Sequence, residues 1–104
     1  MEFWGAAVKG GQAFDVKLGE SSFLHLSRAS LGEEAQEPVI IYFTINKKKQ
    51  VLATLDPKLL SEERFCLTFV KDFKISHNLR NGSVYFFGHK NKPTLKKEEG
   101  NNVE

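Results

Sequence analysis

The side chains that could carry chemistry in this sequence are three histidines (His25, His77 and His89), the single cysteine Cys66, and the aspartates Asp15, Asp56 and Asp72. A zinc site needs three or four such ligands converging, ordinarily with one closely spaced pair. No His-x-x-x-His, Cys-x-x-Cys or His-x-Glu spacing is present, so the histidines read as structural or surface residues, and no metal or cofactor is expected. No serine sits in a Gly-x-Ser-x-Gly elbow. Cys66, between Phe65 and Leu67, reads as a small strand residue rather than a nucleophile. No glycine-rich loop stands ahead of a helix to cradle phosphate. The residues taken one by one do not support catalysis.

The charged residues point to contacts. Fifteen Lys and Arg against thirteen Asp and Glu leave +2, too little for nucleic-acid binding through bulk charge, and no direct sequence-specific nucleic-acid recognition is expected. Lys47-Lys48-Lys49 and Lys96-Lys97 read as a solvated hairpin tip and a solvated tail. Glu33, Glu34 and Glu37 form an acidic surface loop, the one cluster suited to a basic partner.

The elements that position these residues are strands. Val39, Ile41, Phe43 and Ile45 alternate with Ile40, Tyr42 and Thr44, the period of a pleated strand. Phe65 to Val70 and Val84 to His89 repeat it. Shorter candidates are Phe3 to Val8, Ala13 to Lys17, Phe23 to Ser30, Gln50 to Leu55 and Phe73 to His77. Eight short strands with almost no helical periodicity predict an all-β sandwich or barrel. Asn81-Gly82 is the strongest hairpin signal, Asn46-Lys47-Lys48-Lys49 links two strand candidates in the manner of a hairpin, and Asp56-Pro57 through Glu63 reads as one helical turn with Asp56 as its cap.

The chain of 104 residues holds one domain. From Asn91 to Glu104 only Leu95 and Val103 are apolar besides a proline, so residues 1–90 read as the folded core and 91–104 as a disordered tail or the start of a linker. One cysteine excludes an intrachain disulfide and favours a reducing compartment. The longest apolar run, Val39 to Ile45, is too short to span a bilayer, and the start lacks the pattern of a secretory signal. No membrane contact is expected.

Several strands are apolar on both faces. Ile40 and Tyr42, Cys66 and Val70, and Tyr85 and Phe87 all lie opposite the expected core face. Ile40, Tyr42, Tyr85 and Phe87 are therefore read as an interface between copies of the chain, since an oligomer covers such faces.

Particular segments resemble a known family. Met1-Glu2-Phe3-Trp4-Gly5 with Val8-Lys9-x-Gly11, Leu24-His25-Leu26-Ser27-x-Ala29-Ser30-Leu31-Gly32, Leu52-x-Thr54-Leu55, and Ser76-His77-Asn78-x-x-Asn81-Gly82-Ser83-Val84-Tyr85-Phe86-x-Gly88 resemble the motifs of the plant nucleoplasmin-like proteins called HD-tuins, known as plant-specific histone deacetylases. A related domain precedes nuclear FKBP-type prolyl isomerases, but the Ser76-His77-Asn78 block is more similar to the HD-tuins. The resemblance implies an eight-stranded jelly roll of the nucleoplasmin type assembled as a pentameric ring, with a decamer of two rings left open. It also implies core histones as partners, with Glu33, Glu34 and Glu37 the binding residues in this chain, and a place in the nucleus and nucleolus in chromatin assembly and transcriptional repression. The alternative it implies is a histone lysine deacetylase, for which His25 matches the family's proposed catalytic histidine. Aligned on Ser76-His77, the proposed catalytic aspartate falls on Cys66, and no acid occurs from Arg64 to Lys71. A lone histidine cannot hold a metal, activate water and polarise an amide at once, so the chaperone reading is preferred.

Overall fold

The computed structural model describes residues 2–19 and 22–91. Eight strands follow in order: β1 Glu2–Lys9, β2 Phe14–Val16, β3 Phe23–Leu31, β4 Val39–Ile45, β5 Lys48–Leu55, β6 Glu62–Phe69, β7 Phe73–His77 and β8 Ser83–Asn91. They form two antiparallel four-stranded sheets, β1-β8-β3-β6 (sheet A) and β2-β7-β4-β5 (sheet B). The pairings nest: β1 with β8, β2 with β7, β3 with β6 and β4 with β5. This is the sandwich expected from the alternating pattern, with the jelly-roll order that the family resemblance implies. Asn91 closes β8 opposite Phe23, so it belongs to the sandwich, and the rest of the expected tail, 92–104, lies outside the described residues.

The inward rows explain why the sheets adhere. Val8, Leu24, Leu26, Ile41, Leu55, Ile75, Val84 and Phe86 are all but fully buried between them. Each such side chain contributes about 1.5–3 kcal/mol relative to exposure. At one end of the layer the Phe69 and Phe73 rings stack with centroids 4.0 Å apart, and Phe43 meets Phe69 edge-on at 5.7 Å.

β3 breaks its own period: Leu24 and Leu26 point inward, and so do Ala29 and Leu31. A bulge absorbs the extra residue, because the pairing with β8 runs Leu26↔Gly88 and then Arg28↔Phe87. Ser27, left over, donates its hydroxyl to Phe87 O at 3.1 Å. The bulge keeps Arg28 outward and Ala29 in the core.

Two turns differ from their sequence reading. Asn81-Gly82 does not join a hairpin, because β7 and β8 lie in different sheets; the turn carries the chain from one to the other. The true hairpin is β4–β5, where Asn46 and Lys47 both take positive φ, 51° and 66°, as a two-residue primed turn requires. Asp56 through Glu63 is not helical. The Asp56 carboxylate accepts from Lys58 N–H and Leu59 N–H at 2.8 and 3.3 Å, and Asp56 and Leu60 exchange backbone hydrogen bonds. The tight turn they close is followed at once by β6.

Gly88 shows how closely β3 and β8 approach at the bulge: a Cβ there would lie 2.3 Å from His25 O and 3.2 Å from Leu26 Cα. Both obstacles are backbone, so Gly88→Ala is expected to cost about 2 kcal/mol or more, read as a lower midpoint in urea denaturation.

Candidate functional site: interaction surfaces

His25 lies on β3 with its ring on the outer face of sheet A, Nδ1 3.2 Å from Thr68 Oγ1 on β6. His89 on β8 is its direct cross-strand partner. Cys66, two residues before Thr68, shares this outer face and is exposed. The sheet thus brings His25 and position 66 onto neighbouring strands of one surface. Among the described residues, no three His, Cys, Asp or Glu side chains come together in an arrangement that could hold a metal ion.

The third histidine has a different task. His77 is 8% exposed, at the end of β7 in sheet B. Its Nδ1 accepts from Leu79 N–H at 3.2 Å, which leaves Nε2–H to donate to Val8 O in sheet A at 2.7 Å. Next to it, the Asn78 side chain accepts from Ile40 N–H at 2.8 Å while Asn78 N–H donates to Ile40 O at 3.2 Å. The Ser76-His77-Asn78 block is therefore a corner: one side chain ties the sheets together and the next satisfies the backbone of β4 beyond its pairing with β7.

The outward apolar residues fall on opposite sides of the sandwich. Tyr85 and Phe87 stand on sheet A, Ile40 and Tyr42 on sheet B. Phe87 is the centre of the first face: the Arg28 guanidinium lies 4.4 Å over its ring and Phe3 is 6.2 Å away. Phe3 is 71% exposed and was not singled out in the sequence reading. The sequence carries its phase, an odd number of residues from buried Val8 and hence on the outer face; the register, Phe3 opposite His89 and Gly5 opposite Phe87, sets it on the same row of rings. On the second face Lys49 Nζ sits 4.3 Å over the Tyr42 ring, and Val51, 60% exposed, pairs with Tyr42 across the strands. Val70, also exposed, lies beyond β6 in the turn to β7 and belongs to neither face.

The acidic loop joins β3 to β4. Gly32 N–H donates to Ser83 O at 3.2 Å, and Ala35 is buried, so the loop is anchored at its centre. Glu34 packs so closely on the β7–β8 turn that a Cβ on Gly82 would be 2.8 Å from Glu34 Cβ; Gly82, at φ 133°, tolerates this. Glu34 and Glu37 line an open groove of about 370 Å³ with Asn78, Arg80 and Asn81. Glu33 is exposed but does not line the groove. Leu59, in the neighbouring β5–β6 turn, is 87% exposed at the same end of the sandwich.

Two apolar outer faces and an anchored acidic groove are the surfaces this sandwich offers to partners. The family model of the nucleoplasmin-like domain matches residues 3–90, and the chain belongs to that family. Among similar proteins, histone deacetylase HDT1 of Solanum chacoense is 47% identical over 102 residues, covering 95% of this chain and 38% of that protein. Histone deacetylase HDT1 of Arabidopsis thaliana is 40% identical over 94 residues, covering 86% and 38%. The chain thus spans well under half the length of these relatives, and the resemblance to the plant HD-tuins holds across its folded part. Among solved structures, the core of Drosophila NLP superposes with TM-score 0.77 at 18% identity, covering 88% of this chain and all of that one; its structure is described for pentamer formation and histone binding. The nucleoplasmin-like N-terminal domain of Drosophila FKBP39 gives 0.71 at 21%, covering 92% and 94%.

The corner and the outer face make opposite demands on their histidines. His77→Leu strands Val8 O and Leu79 N–H in a buried place and should destabilise the fold by about 2–4 kcal/mol, whereas His25→Ala, on the outer face, should cost under about 1 kcal/mol; urea denaturation of the two variants measures both.

Proposed function

We propose that this chain is the ring-forming core of a histone chaperone that acts in the nucleus and nucleolus in chromatin assembly and repression. The observation that carries the reading is the family match over the whole sandwich, which includes the groove bearing Glu34 and Glu37. These two and Glu33 make no ion pair among the described residues, whereas Asp15 and Glu62 lie within 4 Å of Lys74 and Arg28. Histones are strongly basic, and a carboxylate already paired has less to offer them than a free one.

The ring reading is supported by the placement of the apolar faces. A two-fold contact uses the same patch on both copies; a ring uses two different patches, one for each neighbour. The Tyr85–Phe87 face and the Ile40–Tyr42 face lie on opposite sheets and differ in character, aromatic on one and mixed with Lys49 on the other. In this reading the first face of one copy meets the second face of the next, and five copies close the ring. Light scattering should give about five times the chain mass of 11.8 kDa, or twice that again where two rings stack. Phe87→Lys should break the ring into smaller species, since it would bury an unpaired ammonium beside the Arg28 guanidinium. A monomer from the unsubstituted chain at micromolar concentration would end the ring reading.

The name histone deacetylase, carried by the relatives, supplies the second reading. The groups it calls for in this chain are His25 and position 66, here a cysteine. Two experiments separate the readings. In a histone pull-down across a salt series, Glu33→Gln, Glu34→Gln and Glu37→Gln together should lower retention at low salt and leave the assembled mass unchanged, while His25→Ala binds as before. Deacetylation of an acetylated histone peptide by the purified chain, abolished by His25→Ala and by a chelator, would move the conclusion to the enzyme.

A further inference from the structure

The sequence disperses its lysines; the topology collects six of them at one end of the sandwich, opposite the acidic groove. Lys17, Lys47 and Lys74 line an open groove of about 220 Å³ with Thr44, Asn46 and Phe73. Lys48 follows Lys47 in the β4–β5 turn, and Lys71 precedes Asp72 on the groove's edge. Lys90 donates from Nζ to Lys17 O at 3.1 Å, which joins the end of β8 to the same patch. All but Lys90 are exposed. Among the described residues, three carboxylates share this end. Asp15 lies 3.9 Å from Lys74 Nζ, the Asp72 carboxylate accepts from Leu18 N–H at 2.7 Å, and Glu2 opposes Lys90 in the β1–β8 register. A clear excess of positive charge remains, hidden in the chain's +2 total because the acidic loop balances it from the far end.

We propose that this lysine-rich end binds the phosphate backbone of nucleic acid without reading its sequence. The cations come from several turns and strand ends and spread across the whole end, the pattern that tracks a run of phosphates; lysine acts there as a mobile point charge. The one ring lining the groove, Phe73, is 4% exposed and offers no platform for a base, so the contact is to the backbone. Residues 92–104 are a poor occupant: they carry Lys92, Lys96 and Lys97 against Glu98, Glu99 and Glu104, which brings no net negative charge to this end. The surface is complete in one copy and does not depend on the ring; a cyclic assembly would repeat it in the same sense and raise its avidity.

The test is fluorescence anisotropy of the full chain with two DNA duplexes of unrelated sequence, from about 50 to 200 mM salt. The two duplexes should bind alike, with affinity falling steeply as salt rises. Lys47→Gln, Lys48→Gln and Lys74→Gln combined should weaken binding at least about tenfold at the lowest salt and flatten the log–log salt slope by about 2 to 3. Lys9→Gln with Lys58→Gln, at the acidic end, should change neither. Light scattering establishes that both variants keep the parent's mass, and an unaltered histone pull-down by the lysine variant separates this surface from the histone-binding one. No binding at the lowest salt, or an equal loss from the Lys9 and Lys58 pair, overturns the proposal. So does tighter binding of a poly-glutamate peptide than of duplex DNA, which would assign the surface to an acidic protein segment.

Discussion

A strand can turn only alternate side chains toward one layer, and the sandwich depends on eight strands keeping that phase over their whole length. Where the sequence slips by one residue, at Ser27, the backbone takes up the slip in a bulge so that Leu26 and Ala29 both stay in the core. The cost is a close approach, and only Gly88 can stand opposite it. The same alternation that buries Val84 and Phe86 puts Tyr85 and Phe87 on the outside. Apolar outer faces are thus the direct consequence of strands whose two rows are both apolar, and a lone sandwich would leave the rings of Phe3 and Tyr85 in water.

Phase is a local property, and that decides what could be read from the chain. Val39–Ile45 and Phe73–His77 are β4 and β7 residue for residue, because each carries its alternation within itself. Pairing is not local. The nested order gives only β4 and β5 a hairpin; every other strand finds its partner across intervening chain. Asn81-Gly82 and Asn46-Lys47 have similar turn chemistry, yet one crosses between sheets and the other closes a ladder, and nothing within either dipeptide separates the two cases. Asp56-Pro57 likewise suits a helix cap and a tight turn equally, and the bonds with Leu60 decide between them.

The same distinction governs the functional residues. Glu33, Glu34 and Glu37 are close in sequence and legible as a cluster, though the groove that Glu34 and Glu37 line needs Arg80 and Asn81 from another loop. The Ser76-His77-Asn78 block stands out as a motif, but its role as a corner depends on Val8 and Ile40, which lie 69 and 38 residues away along the chain. The lysines of the opposite end come from several separate segments, and their separation in sequence hid them behind a net charge near zero.

The jelly roll gives each kind of contact its own surface. Its flat faces are apolar and strand-built, suited to copies of the same chain, since rigid sheets present fixed rows that another sheet can match. Its ends are loop-built and carry the charge, negative around the β3–β4 loop and positive around the β4–β5 turn. A subunit polarised in this way can hold a basic protein at one end and a polyanion at the other without bringing the two together. In the proposed single ring, rotation about the axis turns every subunit the same way, so the part of each copy's polarity that runs along the axis adds, and the part across it cancels. The small net charge of the chain is then the sum of two opposed surfaces rather than a sign of weak electrostatics.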